Sequence, residues 1–183
     1  MSEDLLSAWI AEEEALLARQ RAGAQAEGGG VGTREQFEGL TGLEALRRMI
    51  AGELPAPPIA YTMDFFLMEV EAGRAVFQGR PLFKHYNPLG GVHGGWYATV
   101  LDSALGCAVH TTMDVGERYT TLELKLNLLR AMQDGKPQRV RAIGRVRHRG
   151  RQTASAEADL VGPDGKLYAH ASTTCLVFSG ADR

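Results

Sequence analysis

The chain has 183 residues, 44% of them hydrophobic and 23% charged, and carries a net charge of −2. That length suits one domain, or one domain with an extension, and supplies enough apolar residues for a real core. The slightly acidic balance excludes a general nucleic-acid binder, and no apolar run reaches the roughly 18 residues of a membrane span.

The N-terminus, MSEDLLSAWIAEEEALLARQ, has acids where a signal peptide needs a basic region, so the chain reads as a cytoplasmic protein. Residues 4–21 suit an amphipathic helix. Leu5, Leu6, Trp9, Ile10, Leu16 and Leu17 form its apolar stripe, and most of the Glu12–Glu14 run is directed away from it. Residues 22–32, AGAQAEGGGVG, read as a flexible linker. A second helix fits 42–54, with Thr41 as N-cap and Glu44 completing a capping box. Pro55, Pro57 and Pro58 end it. Residues 1–53 are thus expected to be an N-terminal helical extension, and 57–179 the main domain.

Beyond the prolines the pattern changes to strands at 62–71 and 74–78, with a turn at Ala72-Gly73. Strands return at 119–130, 138–149, 153–161 and 166–178. Asp134-Gly135, the His148–Arg151 segment and Pro163-Asp164-Gly165 mark the turns between them. Short turns imply antiparallel neighbours. The expected fold class is α+β, with a curved antiparallel sheet wrapped around one long apolar helix.

That helix is expected from about Gly94 to Thr111, after the turn Gly90-Gly91-Val92-His93. Between Asn87 and Met113 the one formal charge is Asp102. A helix apolar all round belongs in a core. A carboxylate there costs several kcal/mol unless it is stabilised or used. Function is expected where local chemistry and burial conflict in this way.

The pattern Asn87, Gly91, His93-Gly94-Gly95 and Asp102 resembles the active-site segment of hotdog-fold acyl-CoA thioesterases, of the phenylacetate-degradation (PaaI-like) type. Tyr119–Asn127 resembles that family's third strand, and the likeness covers about Pro57 to Phe178. The resemblance implies hydrolysis of an acyl-CoA to free acid and CoA, with Asp102 as nucleophile or general base. Attack by the carboxylate would give a mixed anhydride, whereas base catalysis would activate a water. It also implies an oxyanion hole from the Gly94 or Gly95 amide at the helix N-terminus. Asn87 would orient the thioester or water, and His93 would shape the turn. A hydroxyl at Thr121, or at Thr120, would position the water. Ser103 adjoins Asp102 but points another way on a helix, so no Ser-His-Asp triad is read.

Trp96 and Tyr97, beside the turn, are expected to limit the pocket's shape and to favour aryl or medium acyl groups. Arg139, Arg141, Arg145, Arg147 and Arg149 share one parity and form a positive stripe. Arg149 and Arg151 at its end are expected to receive the coenzyme A phosphates. Cys107 and Cys175 read as reduced core thiols. His85, His93, His110 and Asp102 lack a paired-ligand motif, so no metal site is read. The resemblance implies no cofactor, coenzyme A being part of the substrate. It also implies a site shared between subunits, hence a homodimer at least and commonly a homotetramer. Two other readings keep the fold: a non-catalytic acyl-CoA-binding module, and a hydratase or dehydratase acting on acyl thioesters. The extension could cap the pocket, extend the oligomer, or do neither.

Overall fold

The computed structural model describes residues 2–23 and 28–179; the centre of the expected linker, residues 24–27, lies outside the described residues. Helix α1 spans Ser2–Ala22, α2 Arg34–Phe37, α3 Gly42–Ala51 and α4 Pro58–Met63. Strands β1 (Phe65–Glu71) and β2 (Arg74–Gly79) precede the long helix α5 (Gly94–His110). Strands β3 (Glu117–Leu128), β4 (Val140–Arg149), β5 (Thr153–Val161) and β6 (Leu167–Ser179) follow it. The six strands form one antiparallel sheet in the order β1-β2-β4-β5-β6-β3.

Helix α5 packs against every strand. Val100, Leu101, Ala104, Leu105, Ala108 and Val109 are fully buried, as a helix enclosed by a sheet requires. The sheet supplies small residues where it meets the helix. At Gly144 of β4 a Cβ would lie 2.2 Å from the Ala104 carbonyl oxygen, so only glycine admits this approach. The expected α+β architecture is observed.

Several local expectations are corrected. The segment before β1 is helical: Thr62 lies in α4, which starts on Pro58 and ends at Asp64, in the left-handed region with φ 52°. The carboxylate of Asp64 is held by Arg80 at 2.6 Å and Lys84 at 2.5 Å. Helix α3 has its capping box, with the Glu44 N–H donating to Thr41 Oγ1 at 3.3 Å and the Thr41 N–H to Glu44 Oε2 at 2.8 Å. It stops at Ala51, earlier than expected, because Gly52 turns left-handed.

The largest departure concerns the outer face of the sheet. In β4, Val140 and Ala142 face α5, so Arg139 and Arg141 face outward, and α1 covers them. Glu13, expected on the solvent side, is only 1% exposed. Its carboxylate accepts from Arg139 Nε and from Gln78 Nε2, both at 2.8 Å, and lies 3.6 Å from Arg80. Arg141 pairs with Glu12 and Glu69, with its guanidinium 4.5 Å from the Trp9 ring centroid. The helix docks through Trp9, Glu13, Leu16 and Gln20, which recur at helical spacing.

Candidate active site

The structure sorts the expected site residues into two groups at different levels of α5. Asp102 and Thr121 form the first. Thr121 Oγ1 donates to Asp102 Oδ1 at 3.2 Å. Both line a cavity of about 210 Å³ whose other walls are largely apolar, including Phe65, Leu67 and Phe77. Thr120 points the opposite way and is exposed. Simple strand alternation would put Thr121 and Glu123 on one face. A β-bulge between Thr121 and Glu123 breaks that alternation. Tyr119, Thr121, Leu124 and Leu126 turn inward, and Glu123 is left exposed.

Ser103, Cys107 and Tyr119 are among the lining residues of this cavity that were not anticipated. Ser103 shares it with Asp102, correcting the expectation that the two part company. Its hydroxyl donates to the Thr99 carbonyl at 2.9 Å, so it serves the helix backbone and is no nucleophile. The Cys107 thiol is pushed up to about 12, by burial first and the Asp102 carboxylate second, and stays protonated at neutral pH. The Tyr119 hydroxyl is raised well above its usual 10, chiefly by burial. Helical spacing sets Gly106 four residues after Asp102 and Cys107 four after Ser103, and these two adjacent rows of α5 share the cavity wall. Asp102 is thus the one carboxylate among neighbours that are neutral at pH 7.

The second group is the turn before α5. Asn87 Oδ1 accepts from the N–H groups of Leu89 at 2.9 Å and Gly91 at 3.3 Å, holding the turn closed and leaving Nδ2 as its donor. His93 is the N-cap: its Nδ1 accepts from the Gly95 N–H at 2.9 Å. The neutral ring therefore carries its proton on Nε2. This cap consumes the Gly95 amide. The Gly94 N–H has no acceptor among the described residues and stands at the positive end of α5.

Trp96 and Arg149 are corrected. Trp96 is 1% exposed and donates from Nε1 to the Met63 carbonyl at 2.8 Å, so it is core and does not line the cavity. Arg149 spends its guanidinium on both oxygens of Glu117, at 2.7 Å each, and on the Gly150 carbonyl. With Arg139 and Arg141 under α1 and Arg147 paired with Glu157, the stripe is largely neutralised within the chain. Arg151 remains exposed. Among the described residues no three His, Cys, Asp or Glu side chains are placed to hold a metal ion, and no helix is long and apolar enough to cross a membrane.

Comparison with known proteins agrees with this geometry. Residues 89–169 match the model of the Thioesterase superfamily. The crystal structure of a phenylacetic acid degradation-related protein from Ralstonia eutropha is 33% identical, with a TM-score of 0.65, and aligns over 72% of this chain and 98% of its own. A variant of the phenylacetic acid degradation protein PaaI from Thermus thermophilus is 25% identical, with a TM-score of 0.59, over 65% of this chain and 97% of its own. PA1618 of Pseudomonas aeruginosa, named as an esterase, is 33% identical over 99 residues, which are 54% of this chain and 66% of that protein. The chain belongs to the thioesterase superfamily, as a hotdog-fold member of the PaaI-like type.

Proposed function

We propose that the protein hydrolyses the thioester bond of an acyl-coenzyme A, with Asp102 as the reacting carboxylate. The observation that carries this is the Asp102–Thr121 pair on the wall of an apolar cavity. A carboxylate kept in such a place at a cost is one that is used. In the general-base route Asp102 takes a proton from a water as its oxygen bonds to the thioester carbon. The carbonyl oxygen becomes an oxyanion, the C–S bond then breaks, and the thiolate leaves with the proton. In the nucleophilic route a carboxylate oxygen bonds to that carbon, the thiolate leaves, and water cleaves the resulting anhydride. Both routes need a donor for the oxyanion, a role that suits the unengaged Gly94 N–H. The Asn87 amide would orient the thioester beside it.

Gly94 and Asp102 lie on one helix, eight residues apart. At about 1.5 Å per residue they are separated by about 12 Å along its axis, too far to meet at one carbonyl group. The Gly94 turn of one copy must therefore work with the Asp102 of another. Strand β3 is an edge strand with Leu122 and Leu128 exposed and Leu129 exposed just beyond it, a surface suited to self-complementary pairing in a homodimer.

Thiol release from acyl-CoAs by wild type and Asp102→Asn tests the reading. Turnover lost with binding retained supports it. Binding without turnover in both proteins favours a non-catalytic module.

A further inference from the structure

The cavity beside Asp102 is not closed by the hotdog domain alone. Leu46 and Met49 of α3 and Gln20 of α1 supply part of its wall, with Ala56 in the link to the main domain. The Ralstonia relative is matched over 98% of its length by 72% of this chain, so more than a quarter of this chain lies outside that match.

This wall is fixed in place. The Gly42 N–H donates to the Met113 carbonyl at 3.0 Å, and a Cβ at Gly42 would lie 1.8 Å from the His110 carbonyl oxygen. The start of α3 thus sits directly on the end of α5. At its other end, a Cβ on Gly23 would lie 2.1 Å from the Gly52 carbonyl oxygen, where the end of α1 meets the C-cap of α3. The Glu13 ion pairs hold α1 to the sheet. Leu46 is 4% exposed and joins the main core.

From this placement we infer that the N-terminal extension is the acyl-end wall of the site, with Leu46 and Met49 setting which acyl groups fit. The inference takes its ligand class from the thioesterase reading above. The lining contains no Lys or Arg, so this space suits the hydrocarbon of an acyl group and not the phosphates of coenzyme A. Its volume of about 210 Å³ exceeds the roughly 150 Å³ that holds a benzene molecule in an apolar cavity. A single aryl ring or a short acyl chain fits, and a long chain meets α3.

The test is a ladder of acyl-CoAs from acetyl to dodecanoyl, with one aryl member, against wild type, Met49→Ala, Met49→Phe and Leu46→Ala. Relative kcat/KM is read in the active protein. Affinity for the same ladder is read by calorimetry in the Asp102→Asn background, where turnover is not needed. Met49→Ala is expected to favour longer chains by about three- to fourfold per extra methylene admitted, and Met49→Phe to penalise them by a similar factor. A change common to all chain lengths, as loss of stability would give, or no change, overturns the inference. If wild type releases no thiol, the thioesterase reading fails alone. The affinity ladder then decides, a length profile that follows Met49 supporting the wall and a flat one rejecting it.

Discussion

Thr121 Oγ1 donates to Asp102 Oδ1 across 3.2 Å, linking the edge strand β3 to the central helix at the one carboxylate in the cavity. In the proposed reaction this bond fixes which carboxylate oxygen remains for water or thioester. Thr121→Val is expected to lower kcat about 10- to 100-fold, the scale of a hydrogen bond to a charged group. Thr121→Ser should restore most of the rate, and Thr120→Val should leave it near wild type. Steady-state kinetics of the three variants check this.

The proposed sharing of the site between two copies makes a complementation prediction. Asp102→Asn and Gly94→Val should each be nearly inactive. Refolded together, they form mixed dimers with one intact and one doubly damaged site. Equal mixing should recover about a quarter of wild-type activity, because half the dimers are mixed and each has one good site. No recovery, with mixed dimers shown to form, would place both groups of residues in one copy.

Glu13 is the clasp of the extension. Glu13→Ala leaves the buried side of Arg139 without its carboxylate and takes one partner from Gln78 and Arg80, which keep the Trp9 carbonyl and Asp64. Both arginines keep some access to water, so the loss should be about 2–3 kcal/mol, below that of a fully buried pair. Urea unfolding of the variant measures it, and Glu13→Gln should cost less.

Stability should fall on mild acidification. Burial holds His85 and His110 below the usual 6.5, so the folded state keeps them neutral while the unfolded chain takes up protons. For His85 the Asp64 carboxylate opposes this without overcoming it. Their contribution is present above 6.5 and is lost as pH falls from there through their folded values. The urea midpoint should drop between pH 7 and 5.5, and His110→Gln should reduce that drop.

The central helix, its glycine turn and the aspartate on its cavity side were legible in the sequence because each is a local pattern: an apolar run, a cap and one charge. The antiparallel strands were legible from their turns. What escaped reading depends on tertiary contacts. The bulge at Thr121–Glu123 shifts the face of a strand without changing its composition. Glu13 looks like a surface residue until Arg139, Arg80 and Gln78 converge on it from distant strands. The arginine stripe looked like a phosphate site because α1, which covers part of it, is more than a hundred residues away in the chain. Trp96 adjoins the site in sequence, yet its indole turns into the core to reach Met63.

The most direct test of the account is free-thiol release from acyl-CoA by wild type and Asp102→Asn, with binding of the same acyl-CoA measured in parallel. The account predicts that Asn at this position lowers kcat by about 10²- to 10⁴-fold, the scale of acid–base catalysis, while affinity stays within a few-fold. An Asp102→Asn protein that turns over at the wild-type rate would contradict it.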